Sequence, residues 1–540
     1  MKFKVIKKWR SVLAGILCLT MLTGTAAFAS ESETLNRNDE NYGTCYEVFV
    51  YSFYDSDGDG IGDLNGLKEK LDYINDGDDL TEEDLGCDMI WLMPIFQSPT
   101  YHKYDVMDYF SVDSQYGTMD DFDNLLTACK ERGIRLILDL PVNHTSSQHS
   151  WFIQAAEYLA GLPEGQEPSA QECPYVEYYN FSREKQKDYE PLDGTDWYYE
   201  AHFWSGMPDL NLDNEKVREE IEEILCFWLE RGIDGFRLDA VTSYYTDDKA
   251  KNIAFIAWLN GIVKAEKPDA YLVGEGWTDL DTYAQYYESG IDSMFNFAFA
   301  GQEGYIASVV RGSRGASYYG EKLVSLEELF ASYGSQYIDA PFYTNHDMAR
   351  SAGYYNKDDG SRTKLAQALN LLMPGNAFLY YGEELGMKGS GKDENKRAPM
   401  YWSEDPEAEG MCVGPADMDE VKMKFGSLEE QSREEASVYA YVRKVIRLRN
   451  QYPAIMRGSC ALLEEISGKE VCAIYRETEG EQPLLLVINT SKEPQVVDLA
   501  GTDCSCRTLK EMLCVSEETV EMEGTQLTLP PFDIAVLGAE

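Results

Sequence analysis

The sequence predicts a (β/α)8 barrel, an α/β fold of the TIM type, with a small domain inserted after the third strand and a C-terminal antiparallel β-sandwich. Three observations carry that expectation. Between residues 46 and 450, short β-branched and aromatic runs alternate eight times with amphipathic helical stretches, which fits a closed barrel better than an open doubly wound sheet. The third strand is followed by roughly seventy residues, too many for a structureless loop in a compact domain. After residue 452 the texture changes to short alternating strands with turn signals, EVCAIYRET, PLLLVINTS and FDIAVLGAE.

At the N-terminus, Lys2, Lys4, Lys7, Lys8 and Arg10 precede the largely apolar run Val12–Thr23 and the small-residue site Ala27-Phe28-Ala29. This is the layout of a secretory signal peptide, residues 1–29, cleaved after Ala29. The apolar run is too short to span a bilayer well, and Leu17 before Cys18 does not suit a lipoprotein site. A secreted chain without a membrane anchor is expected.

The barrel is assigned to residues 30–141 and 208–452. Its strands are read at Tyr46–Tyr54, Met89–Pro94, Arg135–Leu140, Gly235–Ala240, Tyr271–Gly274, Ser293–Phe299, Pro341–Thr344 and Ala377–Tyr381. Helical spacing of apolar residues marks Val217–Arg231 (VREEIEEILCFWLER) and Glu435–Tyr452. No glycine-rich dinucleotide fingerprint follows the first strand, which argues against a Rossmann fold. Residues 142–207, rich in Tyr, Glu, Pro and Gln, form the inserted domain, and residues 453–540 the C-terminal β-domain.

A net charge of −48 repels nucleic acid and anionic lipid and favours a neutral or cationic ligand. Apolar residues make up 44% of the chain and aromatics 12%, enough for a large core and too much for a disordered chain. Loss of Cys18 with the signal peptide leaves eleven cysteines of the original twelve. An odd, scattered set without metal-ligand spacing does not read as a disulfide framework.

One local motif suggests a metal. In Asp55-Ser-Asp57-Gly-Asp59-Gly-Ile61-Gly-Asp63 an Asp recurs at alternate positions, Gly60 permits a sharp turn, and Ile61 can offer its carbonyl. Hard oxygen ligands of this kind suit a structural Ca2+. Position twelve is Gly66 rather than the bidentate Glu of an EF-hand, and a strand precedes the loop, so an EF-hand is not expected.

The chemistry is expected where four clusters fall at the ends of predicted strands: Asp139-Leu-Pro-Val-Asn143-His144, Gly235-Phe-Arg237-Leu-Asp239, Val273-Gly-Glu275-Gly-Trp277 and Thr344-Asn345-His346-Asp347. Barrel active sites are built at the C-terminal ends of strands. Glycoside cleavage needs a nucleophile or base, a proton donor and stabilisation of an oxocarbenium-like transition state. Asp239, Glu275 and Asp347 supply three carboxylates. Arg237, two residues before Asp239, shares its face of the strand and keeps it ionised. Trp277 offers Glu275 an apolar neighbour that raises its pKa. Aromatic faces stack on sugar rings; Trp277 is the best platform candidate, Trp204 and Phe295 are weighed beside it, and Trp91 is read as core. The facing of the aromatic stretch Tyr175–Phe181 is left open.

These segments resemble the conserved regions of glycoside hydrolase family 13, the α-amylase family, across essentially the whole chain after the signal peptide. DLPVNH, GFRLDAV, VGEGW and TNHD stand where that family places its regions one to four. Tyr101-His-Lys-Tyr104-Asp-Val-Met-Asp108-Tyr109, Met207-Pro-Asp-Leu-Asn211 and Arg397-Ala-Pro-Met400-Tyr-Trp402 are similar to other family segments, the second to the subfamily intermediate between oligo-1,6-glucosidases and neopullulanases. The resemblance implies Asp239 as nucleophile, Glu275 as acid/base and Asp347 as transition-state stabiliser. It further implies Arg237 orienting Asp239, His144 and His346 on the hydroxyls of the −1 sugar, and Tyr104 stacked beneath that sugar. A secreted, monomeric, retaining hydrolase of α-1,4-glucans is expected, with an oligosaccharide-specific α-glucosidase, an oligo-1,6-glucosidase or a transglycosylase as the alternative. Thr242 and Ser243 stand where many family α-amylases carry Lys-His, so no metal role is assigned to Asn143. Ala240 matches neither the Val of α-1,6-specific nor the Thr of α-1,4-specific relatives, which leaves the linkage open.

Overall fold

The computed structural model describes residues 41–539 apart from Asp79, Leu80, Glu82, Glu164, Ser335 and Asn356; the signal-peptide assignment lies outside the described residues. Eight parallel strands form one sheet: β1 Gly43–Val48, β2 Met89–Leu92, β3 Arg135–Leu140, β4 Gly235–Leu238, β5 Tyr271–Gly274, β6 Ser293–Phe295, β7 Ile338–Ala340 and β8 Asn376–Tyr380. β1 pairs with both β2 and β8. A parallel bridge between Phe342 and Phe378 closes β7 onto β8, so the fold is the expected barrel.

The strands are shorter than their apolar runs suggest. β1 ends at Val48 because Val50–Ser52 turns into a 3-10 helix. β6 ends at Phe295 rather than Phe299. The seventh strand is Ile338–Ala340, not Pro341–Thr344. Pro341 has no N–H for the ladder, and only its carbonyl is used, accepting from Phe378 N at 2.7 Å. The stretch read as strand seven is therefore the loop that presents His346 and Asp347. At the start of β4 a glycine is required: Gly235 has φ +145°, and a Cβ there would lie 1.9 Å from the carbonyl oxygen of Tyr271.

The helix Glu215–Arg231 begins at Asn214, whose side chain accepts from the amides of Lys216 and Val217, and ends at left-handed Gly232. Its Val217, Ile221, Ile224, Leu225 and Trp228 are buried, each contributing roughly 1.5–3 kcal/mol by leaving water. The last barrel helix is Val438–Gln451, N-capped by Ser437, and Pro453 opens a second short helix, Pro453–Arg457.

After β3 the chain forms a helix, Ser150–Gly161, and a small sheet of Phe181–Ser182, Tyr198–Glu200 and Tyr189–Pro191 in that order. Tyr178 and Tyr179 are buried, and Phe152 meets Tyr179 and Tyr199 edge-on at 5.1 and 4.9 Å. Those tyrosines are part of the main core, continuous with that of the barrel.

The C-terminal region is two antiparallel sheets, of five strands and of three. In the central strand Leu484–Asn489, Leu485 and Val487 face a core shared with Val497, Leu527 and Leu529. Leu484, Leu486 and Ile488 belong to the main core that includes the barrel helices. All eleven described cysteines are free thiols, and no helix among the described residues is long and apolar enough to cross a membrane.

Candidate active site

Arg237 organises the floor of a cleft at the C-terminal ends of the strands. It is fully buried on β4. Its Nη1 lies 2.5 Å from Asp239 Oδ1 and 2.8 Å from Asp139 Oδ1, and its Nη2 is ion-paired with Glu275 Oε1 at 3.0 Å. Alternation along β4 points Arg237 and Asp239 to one side, while β5, in register beside it, ends at Gly274 and delivers Glu275 to the same guanidinium. Trp91 stacks near that guanidinium at 5.1 Å and donates through Nε1 to Asp139 at 3.2 Å.

The carboxylates differ in their electrostatics. Burial pushes the Glu275 carboxyl up to about 7, against the pull of Arg237 and with Asp239 and Asp347 adding to the rise. Burial likewise raises Asp139 to about 7. For Asp347, burial raises the pKa, but His346 and Arg397 outweigh it and hold the carboxyl well below the usual carboxylate range. Glu275 therefore keeps its proton near neutrality while Asp347 does not. Glu275 Oε2 also accepts from the amide of Ala240 at 3.2 Å. Ala240 holds a left-handed backbone, φ +47°, a strained state for a residue with a Cβ.

Asp239, Glu275, Asp347, Tyr104, His144 and Trp277 line one cleft; Arg237 and His346 lie buried just beneath it. Tyr104 stacks on His346 (5.6 Å, 20°) and donates its hydroxyl to Asp139 Oδ2 at 3.0 Å. His144 Nε2 lies 3.2 Å from the Tyr104 carbonyl oxygen, and its buried Nδ1 has no protein partner. Trp277 is 54% exposed against Phe297, and Trp204 is 48% exposed. Phe295, by contrast, is buried against Trp91 and Phe378 in the barrel interior, as Trp91 itself is.

Three residues in or behind the cleft make contacts that the sequence does not reveal. Arg397 Nη2 lies 3.0 Å from Asp347 Oδ1, and Phe203 packs edge-on against His144 at 5.3 Å. Glu47, on β1, meets His346 Nδ1 at 2.6 Å. One signal for Glu47 was available: it is the single charge in the run Cys45-Tyr-Glu-Val-Phe-Val. Asn143 donates to Asp209 Oδ1 at 3.1 Å, tying the end of β3 to the segment that re-enters the barrel.

Of the five residues expected around a metal, Asp55, Asp57 and Asp63 bring carboxylate oxygens within 4.8 Å of one another. Asp59 stands outside this group, its Oδ1 accepting from Ile61 N at 2.8 Å. Backbone amides of Gly58 and Gly60 fix Asp55, and those of Ser56 and Gly66 fix Asp63. Three hard-oxygen donors with no Lys or Arg paired to them among the described residues fit a divalent, oxygen-preferring cation.

An eight-stranded barrel with opposed ionised and protonated carboxyls at its strand ends is the working arrangement of a barrel hydrolase. Residues 47–458 match the family model "Alpha amylase, catalytic domain", and residues 469–537 match the D-apionate lactonase C-terminal immunoglobulin-like domain. The chain belongs to the α-amylase family of glycoside hydrolases and is a glycosidase. It is 39% identical to alpha-amylase 3 of Dictyoglomus thermophilum over 449 residues, covering 82% of this chain and 83% of that protein. The solved structure of Eubacterium rectale Amy13B superposes with a TM-score of 0.90 at 50% identity, covering 94% of this chain and 97% of that one. Oligo-1,6-glucosidase of Heyndrickxia coagulans is 28% identical, covering 91% and 97%.

Proposed function

We propose that the protein is an exported, retaining hydrolase of α-1,4-linked glucans that acts by double displacement. The observation that carries the reading is Arg237, which holds Asp239 and Glu275 on two nitrogens of one guanidinium while burial keeps Glu275 protonated to about 7. Asp239 attacks the anomeric carbon as Glu275 protonates the leaving oxygen, giving a β-linked glycosyl-enzyme. Glu275, now ionised, takes a proton from a water whose oxygen attacks the anomeric carbon and breaks its bond to Asp239, releasing the sugar with its α configuration kept. Asp347, ionised beside Arg397, stabilises positive charge developing on the sugar ring.

Trp277 and Trp204 offer aromatic faces to further sugar rings, and the free Nδ1 of His144 offers a hydrogen-bonding group to a sugar hydroxyl. Asp55, Asp57 and Asp63 would hold a structural Ca2+, which supplies charge neutralisation to the loop after β1. Maltoheptaose digestion followed by NMR of the first-released anomer tests the mechanism; initial release of β-anomers would overturn it. A second reading, cleavage of α-1,6 bonds, is supported by the 28% identity to an oligo-1,6-glucosidase over 97% of its length and by Ala240, which lines the cleft without matching the Thr of α-1,4-specific relatives. Parallel assays on starch and isomaltose decide between the two.

A further inference from the structure

Behind the cleft lies a buried acid that the reaction scheme above does not use. Glu47 and the His346 side chain are each 1% exposed, and Glu47 Oε1 is 2.6 Å from His346 Nδ1. The other ring nitrogen, Nε2, is 2.8 Å from the Tyr104 hydroxyl and 3.1 Å from Asp347 Oδ2. The ring is surrounded by acceptors. Tyr104 gives its one hydroxyl hydrogen to Asp139 Oδ2, so Nε2 faces the Tyr104 oxygen and the Asp347 carboxylate, while Nδ1 faces the Glu47 carboxyl. That arrangement favours a hydrogen on both ring nitrogens, the imidazolium form of His346.

We propose that Glu47 is a positioning residue that keeps His346 doubly protonated, so that the imidazolium holds Asp347 ionised and aimed at the cleft. This rests on the proposed roles of Asp347 and Glu275. The titratable groups around the ring are Glu47 from β1, Tyr104 after β2, Asp139 from β3, Glu275 from β5 and Asp347 beside it. Two cations lie nearby: Arg237 of β4 is already shared by Asp139, Asp239 and Glu275, and Arg397 pairs with the other oxygen of Asp347. Burial lowers the His346 pKa, but Asp347 and Glu47 together bring it up to about 9. Glu47 is the only one of these two anions that lies away from the cleft, so it acts whether or not substrate is bound.

The chain has five histidines, His102, His144, His149, His202 and His346, few enough for ring-labelled [13C]histidine NMR, with His346→Gln assigning the resonance. In the wild type the His346 signal stays at its imidazolium position from pH 5 to 8. In Glu47→Gln, which keeps an acceptor for Nδ1 but not the charge, it titrates inside that range; in Glu47→Asp it stays imidazolium. Alongside, kcat/KM of Glu47→Gln on maltoheptaose falls by about tenfold or more at pH 8 and recovers toward pH 5, as expected when one pKa unit changes a protonated fraction tenfold. A neutral wild-type His346, or a Glu47→Gln signal that does not titrate, would overturn the proposal, as would a loss of activity independent of pH. Because the resonance needs no substrate, inactivity on every α-glucan would count against the proposed function and leave the assignment of Glu47 to stand or fall on its spectrum.

Discussion

Arg397 and Asp347, fifty residues apart in sequence, meet at 3.0 Å between Nη2 and Oδ1. The segment that carries the guanidinium is anchored: Met400 N donates to the Ser52 carbonyl at 2.8 Å and Trp402 Nε1 to that of Phe53, which ties 397–402 to the 3-10 turn after β1. Arg397→Ala is expected to lower kcat by roughly 10²-fold, the usual cost of one preorganised electrostatic partner. It should also raise the Asp347 pKa, so that the acid limb of the kcat profile shifts upward. The sign follows from linkage: a depressed carboxyl contributes stability above its unfolded pKa that is lost as pH falls through the folded value. The variant should therefore lose part of the wild type's acid-dependent change in Tm. Unchanged acid limbs would count against the pairing.

Glu275 has the opposite sign. Its pKa is raised from 4.5 to about 7, so its favourable contribution is present below 4.5 and is lost as pH rises through 7. Glu275→Gln should be more thermostable than the wild type at pH 8, by about 2 °C or more, and nearly equal to it at pH 4. Hydrolysis of maltoheptaose should fall by roughly 10³-fold, with a smaller loss on an aryl glycoside whose leaving group needs no proton. A lower Tm at pH 8 would show that the ionised form is the stable one.

Removal of divalent cations tests the acidic loop. With a chelator, Tm should drop, and added Ca2+ should restore it, by about 2.7 kcal/mol of stability at a hundredfold excess over Kd. In Asp63→Asn the response should vanish. Asp59→Asn, outside the carboxylate group, should keep it. Equal melting curves in chelator and calcium would exclude a bound structural ion.

Trp277 is more than half exposed, so its replacement by Ala should leave Tm within about 1 °C, as surface changes usually do. KM for maltoheptaose should rise by roughly tenfold, since aromatic stacking contributes about 1 kcal/mol or more. Measuring maltotriose in parallel shows whether the ring serves a near or a remote sugar.

The barrel and its carboxylates were legible because strand-end chemistry is local: Arg237 and Asp239, two residues apart, share a face by alternation alone. What was not legible depends on contacts between distant segments. Arg397 sits in a run whose sequence does not reveal that it folds over Asp347. Phe295 looked like a platform until the closure of the barrel placed it inside. Pro341–Thr344 has the composition of a strand, yet the missing amide of Pro341 ends the ladder before it. The alternating aspartates at 55–63 point to a cation, but only the folded loop shows which carboxylates converge: Asp55, Asp57 and Asp63, without Asp59.

The central C-terminal strand, Leu484–Asn489, buries alternate residues on opposite sides, one set in its own sandwich and the other in the main core. Cutting the gene after residue 458 would strip a greasy wall from the catalytic half and leave the terminal half with an uncovered flank. Chimeras that exchange this portion with a homologue are therefore expected to succeed only when the Leu484, Leu486 and Ile488 face travels together with the helices it covers, which makes the two regions a single unit of inheritance.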